Sequence, residues 1–114
     1  MSIKKVFCSF RIEGLHSWPE CPIDEVYYLK DTHRHLFHIK AFKIVSHDNR
    51  DIEFIQLKHS ISQYFLKYFD DSIRCCVFGS MSCEQIAQEL IDCFGLCSCE
   101  VSEDGENGSL IEVI

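Results

Sequence analysis

His33 and His35 stand one residue apart in the run Asp31-Thr32-His33-Arg34-His35-Leu36-Phe37-His38-Ile39. Side chains alternate across an extended strand, so both imidazoles leave the same face and can reach one ion. Metal binding, with zinc as the ion, is the chemistry this spacing suits best. A third ligand is needed, and His16 in Glu13-Gly14-Leu15-His16-Ser17-Trp18 is the best placed, at the end of the only strand-like segment before the pair. His38 falls on the opposite face of the strand, where a core or interface role is expected, and His47 and His59 are read as surface residues.

These histidines must be positioned by strands. From Lys4 to Glu13 the residues alternate, with Val6, Cys8, Phe10 and Ile12 on one face, which predicts a half-buried strand. Gly14 to Asp31 holds both prolines and no sustained period, so it is expected to be a long excursion of the kind that often carries function. Thr32 to His47 predicts a second strand, apolar on both faces and so covered on both sides by helices or a neighbouring subunit. Asp51 to Phe69 changes to helical spacing through Phe54, Leu57, Ile61, Tyr64, Phe65 and Tyr68. Asp70 to Met81 is expected to be a connection. Ser82-Cys83-Glu84-Gln85 has the form of a capping box for a second helix that stops at Gly95. Cys97 to Ser102 and Leu110 to Ile114 predict two further strands, with hairpin residues between them in Asp104-Gly105-Glu106-Asn107-Gly108. The expected order is ββααββ: an α+β fold with a four-stranded antiparallel sheet and two helices on one face.

Composition bounds the function. A chain of 114 residues is read as one domain, 1–114, with a single core. A net charge of −7 with scattered Lys and Arg argues against nucleic acid as a partner. No apolar run reaches the roughly 20 residues of a membrane helix. Met1-Ser2-Ile3-Lys4-Lys5-Val6 leads into alternating residues rather than a signal sequence, so a cytoplasmic protein is expected. Its eight cysteines are then read as reduced, mostly small buried apolar residues, with Cys21 between Pro19 and Pro22 the most exposed. Cys75-Cys76 and Cys97-x-Cys99 lack the spacing of zinc knuckles.

The element order, the upstream histidine and the His-x-His resemble the 6-pyruvoyl-tetrahydropterin synthase family, which includes the 6-carboxy-tetrahydropterin synthases of queuosine biosynthesis. Five short motifs carry the resemblance over nearly the whole chain. They are Gly14-Leu15-His16, His33-Arg34-His35, Glu53-Phe54-Ile55-Gln56-Leu57-Lys58, Met81-Ser82-Cys83-Glu84 and Val101-Ser102-Glu103-Asp104. The resemblance implies a T-fold (tunnelling fold), whose subunits join their sheets into a barrel, and a homo-oligomer built as a hexamer from two trimers. It implies zinc held by His16, His33 and His35 with a fourth position open, as in catalytic zinc sites. It further implies that Glu103 anchors the amino-pyrimidine edge of a pterin and that Ser82 and Glu84 border the substrate.

The chain also departs from the family. Leu29 stands four residues before His33, where the synthases carry a Cys or a Glu, and leucine cannot transfer a proton. Asp71 falls where an Asp-His pair would place its histidine. Cys21, Asp70 and Asp71 are the candidates for a non-standard base, with Glu25 and Tyr28 also in the long loop. Arg34 replaces the glycine between the two histidines; it could bind a substrate phosphate, but a salt bridge with an acidic neighbour across a subunit contact is the expected role. Trp18 is expected to pack down its loop beside Pro19. Two functions lead: a zinc-dependent lyase-type protein acting on a pterin or related purine-derived heterocycle, or a catalytically inactive zinc protein that captures or senses such a ligand; the open-site histidines argue against a third, a structural oligomer whose metal only stiffens the fold.

Overall fold

A computed structural model describes residues 1–114. The first strand, β1, runs Lys4–His16, three residues beyond the alternating segment, so His16 lies inside the sheet. It pairs antiparallel along its whole length with β2, His33–Val45. Between them the long excursion holds a 3-10 segment at Asp24–Lys30. Helix α1, Phe54–Tyr64, is followed by a 3-10 turn at Phe65–Tyr68, and then by β3, Phe69–Asp70, and β4, Cys75–Gly79. Helix α2, Cys83–Phe94, leads to the hairpin of β5, Ser98–Glu103, and β6, Asn107–Glu112.

The fold is α+β, as expected, but the sheet has six strands rather than four, in the order β3-β4-β1-β2-β5-β6. It is also mixed, because β4 runs parallel to β1. The connection expected over Asp70–Met81 therefore contains a two-strand hairpin. Cys75-Cys76-Val77-Phe78 is too short an apolar run for periodicity to separate from a loop, and a parallel partner far away in sequence leaves no local signal.

One face of the sheet carries the core. Phe37, Ile39 and Ala41 of β2, Cys99 and Val101 of β5 and Cys8 of β1 pack against Leu57 and Ile61 of α1 and Ile86, Ala87 and Leu90 of α2. Each large side chain fully buried there contributes about 1.5–3 kcal/mol. The helix ends are defined chemically. The Glu53 carboxylate accepts from the backbone N–H groups of Ile55 and Gln56, so α1 begins at Phe54, three residues inside the predicted start. Ser82 and Gln85 form the predicted reciprocal capping box, and Gly95 ends α2 at φ +61°, a conformation that favours glycine.

Helices cover only one face, whereas the sequence pattern implied cover on both. Phe7, Leu36, Ile44, Val77 and Leu110 stand exposed on the opposite side. No helix is long and apolar enough to cross a membrane.

Candidate metal centre

Strand register assembles the centre. His16 is the direct cross-strand partner of His33, and Gly14 the partner of His35, so three imidazoles meet at one end of the β1–β2 ladder. Their ring centroids lie 4.5 Å (His16–His33), 5.4 Å (His16–His35) and 5.0 Å (His33–His35) apart. Gly14 makes room beneath them. A Cβ there would come within 2.4 Å of the Phe78 ring, which packs edge-on to Phe37 under the cluster.

Each ring is oriented by its Nδ1. That atom of His16 lies 2.9 Å from the Met81 carbonyl, that of His33 2.7 Å from the Asp31 carbonyl, and that of His35 2.8 Å from the Asp104 carboxylate. Carbonyls and carboxylates only accept, so all three Nδ1 atoms must carry the proton. In the neutral rings the three Nε2 atoms are then bare lone pairs. Such second contacts are what orient histidines that ligate metals.

Glu103 joins them. It lies on β5, opposite Phe37 of β2 and on the same face, and its Oε2 is 2.9 Å from His16 Nε2 and its Oε1 3.5 Å from His35 Nε2. His16, His33, His35 and Glu103 each present one ligand atom, and these atoms lie within 4.8 Å of one another. The Nε2 atoms of His16 and His35 are buried without a hydrogen-bond partner, because a bare ring nitrogen facing a carboxylate sets one acceptor against another. Unpaired buried polar groups cost about 1–3 kcal/mol each, so this cluster of acceptors calls for a shared cation. The group can hold a metal ion, and three imidazoles with one carboxylate are a donor set that suits zinc.

The sequence did not single out Asp104 as a partner of the histidines. It adopts φ +59° just past the end of β5, which turns its side chain back toward β2. Its Oδ1 accepts from the Leu36 N–H and its Oδ2 faces His35 Nδ1. These bonds, the backbone bond first, hold its carboxyl below the usual range.

A cleft of about 550 Å³ opens beside the centre, bordered by His16, His33 and Glu103, by Trp18 and Leu29 of the long loop and by the start of α2. Ser82 and Glu84 border it. Glu84 Oε1 accepts a hydrogen bond from Ser109 Oγ at 2.8 Å, which ties α2 to β6. Cys83 is the one thiol on the wall, and burial, then Glu103 and Glu84, pushes it up to about 12. It is a protonated thiol at neutral pH and not a ready base.

The candidate bases are not brought to this cleft. Cys21, expected to be exposed, is buried, with its thiol directed at the carbonyls of Ile23 and Val26 inside its own loop. Asp70 accepts from the backbone and hydroxyl of Ser72 in the β3–β4 turn, and Asp71 is almost fully solvated. Leu29 is on the cleft wall, where a proton-transfer group would be useful. Arg34 pairs with Glu13 of the neighbouring strand β1 at 3.4 Å. His38 is on the other face, and His47 is exposed beside Asp51. No protein-family model and no curated protein sequence matches this chain.

Proposed function

We propose that this chain is a zinc-dependent T-fold protein of the 6-pyruvoyl-tetrahydropterin synthase type, acting on a pterin or related purine-derived heterocycle by lyase-type chemistry with a non-standard base. The observation that carries this reading is the set of three histidines whose Nδ1 atoms are all committed to acceptors, leaving their Nε2 atoms converged beside a polar cleft. His16, His33 and His35 hold the zinc. When bound, zinc would polarise a ligand carbonyl or hydroxyl and acidify adjacent protons. A cleft of about 550 Å³ is of a size that takes a small heterocycle. Glu103, Glu84 and Ser82 offer acceptors for its N–H groups, and Trp18 offers a ring face beside them. With Leu29 inert and Cys83 protonated, Glu84 is the carboxylate bordering the cleft, besides Glu103, that is left to exchange a proton.

A second reading, capture of the same ligand without turnover, is favoured by Leu29, which supplies no proton-transfer group. Both readings include a homo-oligomer, a hexamer of two trimers. The uncovered apolar face with Phe7, Ile44 and Leu110 supports assembly, since a monomer would leave it in water.

Purified protein is expected to hold one zinc per chain and to lose it in His33→Ala. Incubation with dihydroneopterin triphosphate is expected to yield a new product on chromatography. Substrate retained unchanged on the protein would establish capture instead. Absence of stoichiometric metal in the unmutated chain overturns both readings.

A further inference from the structure

We propose that Glu103 is the fourth ligand of the metal in the resting protein, closing the position that an incoming ligand must take. This inference rests on the reading of the three histidines as a zinc site, and it assigns Glu103 a place that the family resemblance does not.

Distance carries the argument. Zinc bonds nitrogen and oxygen at about 2.0–2.2 Å, so neighbouring ligand atoms of a tetrahedral site stand about 3.3–3.5 Å apart. The Glu103 oxygens stand 2.9 Å and 3.5 Å from the Nε2 atoms of His16 and His35. A carboxylate that only gripped the far edge of a bicyclic ring would stand a ring's length from the histidines. Glu103 is at contact distance instead.

The backbone around Glu103 supports a fixed ligand on a movable arm. Glu103 ends β5, paired with Phe37 on one side and Asn107 on the other. Asp104 locks the turn that follows: its N–H donates to the Leu36 carbonyl, and its carboxylate accepts from the Leu36 N–H and from His35 Nδ1. Consecutive carboxylates thus reach the same cluster, Asp104 through the back of His35 and Glu103 from the front. The two imidazole nitrogens are the close polar neighbours of the Glu103 carboxylate, and no backbone tether holds it there. It also borders the cleft, so rotation of its side chain alone would free the position and turn the carboxylate toward an N–H-bearing ligand.

The test uses the whole chain loaded with cobalt(II), whose visible spectrum reports coordination, and azide as the probe of an open position. Unmutated protein is expected to give a four-coordinate spectrum that azide leaves unchanged, while Glu103→Gln and Glu103→Ala respond to azide. Zinc affinity, measured by chelator competition, is expected to fall in Glu103→Ala by more than the roughly 10–100-fold that loss of an outer-shell partner costs. An azide response of the unmutated protein equal to that of Glu103→Gln, or unchanged zinc affinity in Glu103→Ala, overturns the inference while leaving the histidine site standing. Failure of the unmutated protein to bind either metal overturns the zinc reading and this inference together.

Discussion

The Asp104 carboxylate lies 2.8 Å from Nδ1 of His35, joining residues 69 positions apart in the chain. The contact sets the tautomer of His35 and, with the bond to the Leu36 N–H, fastens the β5–β6 turn to β2. Glu103 is placed by that fastening. Asp104→Ala is therefore expected to lower zinc affinity by roughly 10–100-fold, the usual cost of losing a partner behind a metal-bound histidine. Chelator competition measures it, and an unchanged affinity would show that His35 is oriented by packing alone.

Gly14 faces His35 across the ladder and the Phe78 ring beneath. A methyl group at Gly14 would meet ring atoms at 2.4 and 2.8 Å, and Phe78 is buried and cannot swing away. Gly14→Ala is expected to cost about 1–3 kcal/mol through overpacking. Thermal unfolding should show a midpoint lower by roughly 5 °C or more. A variant with an unchanged midpoint would mean that Phe78 has space that the packing does not show.

Acid should weaken the β2–α1 connection. Asp51 accepts from both the N–H and the hydroxyl of Ser46, and these bonds, the backbone bond first, hold its carboxyl below the ordinary value. A lowered folded pKa means that Asp51 contributes its stability above about pH 4, the unfolded value, and loses it as pH falls through the folded one. Asp51→Asn is therefore expected to unfold at lower temperature than the unmutated chain at pH 7, with the gap narrowing below about pH 4. A gap that stays constant with pH would remove the carboxylate from the account.

Thiol reactivity separates the cysteines. Burial pushes Cys76 up to about 11, and Cys83 and Cys99 up to about 12, so these stay protonated and covered at neutral pH. Cys93 is exposed and Cys97 partly so. Brief alkylation of native protein, read by mass spectrometry, is expected to modify Cys93 first and to spare Cys21, Cys76, Cys83 and Cys99 until the chain is unfolded. Early labelling of Cys21 would show that its loop opens readily.

Local pattern accounts for much of the fold and part of the site. Alternation placed His33 and His35 on one face and His38 on the other, because the period of a strand is a property of its backbone and holds wherever the strand is packed. The Ser82-x-x-Gln85 box and Gly95 marked the ends of α2, because a cap is chemistry between near neighbours. The three histidines were thus legible as a set.

Other features depended on residues far apart in sequence. The parallel pairing of β4 with β1 was not legible, since five residues carry no sustained period. The burial of Cys21 was missed because proline spacing says nothing about which way a loop folds. The entry of Glu103 into the histidine cluster, and of Asp104 behind it, depends on the register of β5 against β2 and on a left-handed turn at Asp104. Register is chosen by how whole faces pack, so the sequence determined which side chains share a face, and only the tertiary structure decided which strands bring Glu103 and Asp104 to the histidine cluster.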